Sequence, residues 1–127
     1  MALVAMHAVI YLVVATDVVV VAADVVLEEN AHIVHGAMIH GANIGKNSMI
    51  GMNAVVMDDA NVGDECIVGA LSFIKGEMQI PNRKIVMGNP AQIKGDVSDE
   101  MLNWKTKGTE LYQELAEECR TLMKECT

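Results

Sequence analysis

The chain has 127 residues, with nine Lys and Arg against seventeen Asp and Glu and a formal charge of -8. A chain this short suits one small domain, whose private core is limited unless the fold is extended or subunits share surface. The acidic balance excludes a nucleic-acid partner, because phosphate binding needs a basic face.

The first 26 residues, MALVAMHAVIYLVVATDVVVVAADVV, are rich in Val and Ala. No basic segment precedes the apolar run, no A-x-A-like cleavage site is followed by a polar start, and Asp17 and Asp24 interrupt it. These features argue against a signal peptide or a membrane span. Val-rich composition favours strand over helix, so buried strands are expected here.

The next 60 residues carry a period of six. Counting from Ile44 gives Ile44, Ile50, Val56, Val62, Val68, Ile74, Ile80 and Val86. Four residues after each of the first five come Ser48, Ala54, Ala60, Cys66 and Ser72, all small, and glycine follows the aliphatic at 45, 51, 63 and 69. Neither a helical period nor simple alternation produces that register. Backwards the series continues as Val21, Leu27, Ile33 and Ile39, with Val25, Ala31 and Ala37 in the small places. The frame slips by one beside His40, since Ile39 and Ile44 are five apart.

A six-residue unit of short strand and tight corner closes a triangular prism after three units, so residues eighteen apart stack. Ile44, Val62 and Ile80 then form one internal ladder, and Ile50, Val68 and Val86 another. Glycine after the aliphatic is read as serving a sharp turn. The expected fold is an all-β solenoid, the hexapeptide-repeat, left-handed parallel β-helix. It occupies residues 1–95, with residues 1–20 an irregular or shortened start, and a helical segment follows at 96–127.

The ladder should break in GNPAQIKG, Gly88 to Gly95, at Pro90. Ser98 can then cap a first helix, with Asp99 and Glu100 suited to its dipole, and Thr109 can cap a second after Gly108. Leu111, Leu115, Leu122 and Met123 form one apolar stripe, expected to pack on the prism wall or on a neighbour. The three cysteines, Cys66, Cys119 and Cys126, are an odd number without CxxC spacing, which reads as reduced thiols in a cytoplasmic protein.

Three of the four histidines lie in HIVHGAMIHGANIG, His32 to Gly45. His40 follows Ile39, as His7 follows Met6, so each should point outward from the prism, and His35 lies nearer a bend. His35 and His40 belong to successive units on different faces, so one chain would not chelate an ion with both; two chains side by side could. A lone corner histidine is also a common structural residue.

The run "HIVHGAMIHGANIGKNSMIGMNAVVMDDANVGDECIVGALSFIKG", with "MGNPAQIKG" and "SDEMLNWKTKGTELYQ" after it, resembles the γ-class carbonic anhydrase superfamily. It is most similar to the branch of the carnitine operon protein and the phenylacetic acid degradation protein. The resemblance runs from about Glu28 to about Cys119. It implies metal ligands at His7, in "VAMHA", and at His35 and His40, in "VHGAMIH", with His32 structural or in the outer shell. It also implies a homotrimer with zinc, iron or cobalt at each interface, the middle histidine coming from the neighbouring chain. The R-G-D and I-Q-D steps of earlier coils in that family, whose Arg, Asp and Gln support the interface and the metal's water, are missing here.

The leading expectation is thus a trimeric metalloprotein acting on carbon dioxide or a CoA thioester, with no membrane partner. Two alternatives stay open. A hexapeptide acyltransferase would use acyl-CoA and one histidine as general base, and a non-catalytic metal-binding accessory protein would use neither.

Overall fold

The computed structural model describes residues 13–14, 19–21 and 24–125. The expectations for His7 and Cys126, and for the side chains of Cys119 and Met123, lie outside what it describes. The chain winds in coils of three short strands. The first carries β1 (Val13–Val14), β2 (Val19–Val21) and β3 (Val26–Leu27), and the second β4 (His32–Ile33), β5 (Met38–His40) and β6 (Asn43–Ile44). The third holds β7 (Met49–Ile50), β8 (Val55–Val56) and β9 (Asn61–Val62), and the fourth β10 (Ile67–Val68), β11 (Phe73–Ile74) and β12 (Gln79–Ile80). β13 (Lys84–Gly88), β14 (Ala91–Asp96) and the helix α1 (Asp99–Glu125) complete it.

Like strands of successive coils stack in parallel into three faces. Sheet A runs β1-β4-β7-β10-β13-β14, sheet B is β2-β5-β8-β11, and sheet C is β3-β6-β9-β12. This is a left-handed parallel β-solenoid. The expected ladders form: Ile44 pairs with Val62 and Val62 with Ile80, while Ile50 pairs with Val68 and Val68 with Val86. These inward aliphatics are buried, as are Ala31, Ala37, Ala42, Ser48, Ala54, Ala60, Cys66 and Ser72 at the bends. Each buried Val or Ile contributes about 1.5–3 kcal/mol relative to exposure. A large side chain in each strand and a small one at each corner from Ala31 to Ser72 fills so thin a prism, with Met78 packed on the core at the next corner.

Polar members of the small positions are bonded internally. Ser48 Oγ donates to the Gly63 carbonyl at 2.6 Å and accepts the Cys66 N–H at 3.0 Å. The Cys66 thiol contacts the Pro81 carbonyl at 3.1 Å, and burial raises its pKa.

Two details differ from the sequence reading. Val20, not Val21, is in register with the inward Ile39, because the unit from Val20 to Leu27 is seven residues long. The glycines at 45, 51 and 63 do not make the turns either. A Cβ on them would lie 2.4–2.6 Å from atoms of the next coil, so glycine is needed for close approach. The turns are made by non-glycine residues at positive φ, among them Asn47, Asn53, Asp59 and Glu65, with φ from 52° to 62°. Asn and Asp tolerate that region better than other L-residues.

The parallel ladder ends at β13, as the Pro90 break implies, and β14 returns antiparallel to extend sheet A. Ser98 caps α1, its Oγ accepting the Met101 N–H at 3.2 Å. The expected second helix does not exist, because α1 runs unbroken through Gly108. Thr109 is buried and hydrogen-bonded to His32 instead of capping a new start. One interior glycine costs about 1 kcal/mol, too little to end a helix anchored on both sides of it.

Candidate functional site

His32 and His40 occupy outward positions on different faces. His32 lies on sheet A beneath α1 and is 5% exposed. Its Nδ1 is hydrogen-bonded to Thr109 Oγ1 at 3.2 Å, and its ring meets Tyr112 edge-on at 5.1 Å. Burial, aided by the charge of Lys105, pushes its pKa down to about 4. Lys105 is itself buried, and desolvation lowers its pKa to about 8. Its ammonium donates to the Asn30 carbonyl at 2.9 Å and to Asn47 Oδ1 at 2.6 Å. Asn47 Nδ2 in turn donates to Thr106 Oγ1 at 3.0 Å.

This polar cluster attaches the helix to the prism, so His32 is a structural residue there. The leucine stripe faces the other way: Leu111, Leu115 and Leu122 are exposed. Beneath the helix lie His32 and Met49 of sheet A and the corner residues Asn30 and Asn47, and it is their polar groups that Lys105, Thr106 and Thr109 meet. A cavity of about 330 Å³ beside the helix, lined by Val34, Met49, Met52, Trp104 and Tyr112 among others, also opens on this face.

His35 lies at the corner before sheet B and His40 within that sheet, at the end of β5. His35 is exposed at the corner between β4 and β5, where its carbonyl accepts the Asn53 N–H at 3.0 Å. Gly36 beside it has φ 73°, and a Cβ there would lie 1.9 Å from Asn53 Oδ1. A larger residue at that corner would have to adopt a positive φ and displace the Asn53 side chain. His40 ends β5 and is half-buried. Between the two histidines the face shows Met38, Val55, Met57 and Phe73, partly exposed and apolar.

His40 has a partner that the sequence reading did not identify. Its Nδ1 meets the carboxylate of Asp58, one coil further on. The contact lies at the slip in the six-residue period. Val56 pairs with Ile39 and Asn61 with Asn43. Between these pairs the later coil has four residues and the earlier one only three, His40, Gly41 and Ala42. Asp59 N–H donates to the Gly41 carbonyl at 2.8 Å, as Asn47 does to Glu29 and Asn53 to His35, so Asp58 stands over Gly41 and Asp59 is the residue without a counterpart.

Neutral imidazoles suit zinc, iron or cobalt. If Asp58 accepts the Nδ1 proton, His40 presents an Nε2 lone pair, the usual arrangement of a carboxylate-supported histidine ligand. The donor chemistry of His40 thus fits a metal. Among the described residues, no three His, Cys, Asp or Glu side chains of one chain converge on a point where an ion could sit. Nor is any helix among them long and apolar enough to cross a membrane.

With coils, ladders and corners in place, the chain belongs to the hexapeptide-repeat family, and its fold is that of the hexapeptide transferases. Residues 41–76 match the family described as "Bacterial transferase hexapeptide (six repeats)". Among curated proteins it is similar to the carnitine operon protein CaiE of Salmonella agona (strain SL483). The identity is 44% over 102 residues, covering 80% of this chain and 52% of that one. The chain spans about half the length of the curated relatives it matches. Among solved structures, a Bacillus cereus candidate acetyltransferase is 24% identical with a TM-score of 0.72, covering 73% of this chain and 54% of the other. The acetyltransferase domain of PglB from Neisseria gonorrhoeae FA1090 is 32% identical with a TM-score of 0.61, covering 65% and 40%.

Proposed function

We propose that the chain forms part of a trimeric metalloprotein of the γ-carbonic anhydrase type. In this reading His35 of one chain and His40 of the next bind a shared zinc, iron or cobalt ion. His7 is the third ligand proposed from the resemblance. The ion supplies Lewis-acid activation of water for attack on carbon dioxide or a CoA thioester. The chain's own residues present the imidazoles at the rims of sheet B, and the apolar surface between them packs against the neighbour and excludes water.

The placement of His35 at the corner before β5 and of His40 at the last residue of β5 is the observation that carries this reading. Among the described residues of one chain, no group of three His, Cys, Asp or Glu side chains gathers around either histidine to hold an ion. Two nitrogens bound to one zinc at about 2.1 Å lie within about 4 Å of each other. A shared ion therefore needs a second copy, and the apolar face between the histidines suits such a contact.

A second reading is favoured by the match to the transferase repeat and by the likeness to the PglB acetyltransferase domain. In an acyl-CoA-dependent acyltransferase, His40 would take a proton from the acceptor at Nε2 while Asp58 holds Nδ1. An accessory protein that binds metal without catalysis is the third possibility.

Metal content per chain, measured by mass spectrometry on untagged protein together with oligomeric state, separates them. About one ion per chain, lost in His35→Ala and His40→Ala while the trimer survives, supports the first reading. A metal-free wild-type trimer refutes it and favours the transferase. A metal-loaded trimer inactive on carbon dioxide and on acyl-CoA leaves the accessory role.

A further inference from the structure

The contact between His40 and Asp58 bears on how the proposed metal site would be built, and the inference below rests on that reading of His40 as a ligand. We infer that Asp58 is a positioning residue: its carboxylate accepts the Nδ1–H of His40, fixes the ring, and reserves Nε2 for a divalent cation. Three observations support this. The two side chains meet directly across one coil. Both are partly open, with side-chain exposures of 38% and 52%, and the carboxylate is the hydrogen-bond partner that the ring has among the described residues. And a corner carboxylate eighteen residues on reaches back to the preceding coil elsewhere as well, Asp64 Oδ1 accepting the Lys46 N–H at 2.8 Å.

His35 provides the contrast. Among the described residues, its ring has no side-chain partner. It lies where the coils stack one residue on one, with the Asn53 N–H on its carbonyl. The two proposed ligands are therefore unequal: one is held by a carboxylate and the other takes its orientation from whatever the neighbouring chain provides. A carboxylate behind an imidazole raises its basicity as a ligand as well as fixing its tautomer, and loss of such a partner typically costs 10–100-fold in metal affinity.

The test uses full-length, metal-free protein. Zinc affinity is measured by competition with a chromophoric chelator, and cobalt(II) is added for its visible spectrum. The variants are Asp58→Asn, His40→Ala and Asp59→Asn, the last as a control on the same corner at φ 62°, where Asn is well accommodated. Nitrogen chemical shifts of His40 in metal-free protein report its tautomer independently of any metal.

The expected result is an Nδ1–H tautomer in the wild type that is lost in Asp58→Asn. Zinc affinity should fall about 10–100-fold in that variant with an altered cobalt spectrum, while Asp59→Asn leaves both unchanged. If the wild type binds zinc and His40→Ala abolishes binding, but Asp58→Asn binds as the wild type does, the positioning role is overturned and the metal reading stands. An Nε2–H tautomer in the metal-free wild type also overturns it. A wild type that binds neither zinc nor cobalt removes both the metal reading and the role assigned to Asp58 within it.

Discussion

Protonation of His32 should weaken the fold, and the structure sets the size of the effect. The ring is buried under α1 against Thr109 and Tyr112, and its pKa is pushed from 6.5 down to about 4. The native state thus holds the neutral ring, whereas the unfolded chain binds a proton near pH 6.5. Stability from this group is fully present above pH 6.5, falls as the pH drops from there towards 4, and levels off below. At 1.36 kcal/mol per pH unit the loss amounts to about 3 kcal/mol. The assay is urea unfolding followed by circular dichroism at several pH values between 7.5 and 4 and at fixed protein concentration, since oligomerisation would otherwise shift the midpoint. Wild type is compared with His32→Phe/Thr109→Val, which removes both ends of the hydrogen bond. The double variant should lose that part of the acid slope whatever its absolute stability, because the carboxylates titrate alike in both proteins. Parallel slopes from pH 6.5 to 4, or a titration of His32 near 6.5 in the folded wild type, would refute the argument. Lys105→Met tests its second cause: without that ammonium the His32 pKa should rise and the slope become smaller.

Gly45→Ala should be severely destabilising, by about 1–3 kcal/mol or more, since its Cβ would lie 2.4 Å from the Gly63 backbone. Gly95→Ala, with nothing within 4 Å of the added atom, is the tolerated control, and thermal melts compare the two. Gly108→Ala should raise stability by about 0.5–1 kcal/mol, because the position is inside a helix with open space around it; an unchanged or lower melting temperature would contradict this. Ile50→Ala removes a fully buried ladder residue between Ile33 and Val68 and should cost about 2–5 kcal/mol in urea unfolding.

The inward aliphatics were legible because the prism is narrow: it admits one large side chain per strand and one small one per corner, so the pattern appears in the sequence as a strict register. The one-residue slip at His40 was legible for the same reason. The helix was harder to read. Sequence rules place leucines inward and lysines outward, since lysine is almost never fully buried, but here Lys105 is inside and Leu111, Leu115 and Leu122 are outside. What reversed the rule is the wall the helix meets, whose Asn30 and Asn47 groups take up the buried ammonium, and that wall is assembled from residues more than 50 positions away. His35 and His40 stood out by their H-x4-H spacing. Asp58 did not, because side by side with Asp59 it reads as an ordinary corner residue; counting one coil of eighteen residues on from His40 would have found it.

The same count shows how a corner side chain comes to face the coil beneath it. Where coils stack one residue on one, backbone groups of the corners satisfy each other, as in the bonds from Asn47 to Glu29, Asn53 to His35, Glu65 to Lys46 and Leu71 to Met52. The bond from Asp59 to Gly41 is of the same kind, so Asp58 holds the place that Asp64 and Asn82 hold in the regular corners. Those side chains also reach back one coil, Asp64 Oδ1 accepting the Lys46 N–H and Asn82 Oδ1 the Asp64 N–H, each at 2.8 Å. The stacked corners thus aim polar side chains at the coil beneath, and what sets the Asp58 corner apart is that its target is an imidazole and not a backbone amide, which is where chemistry can be built.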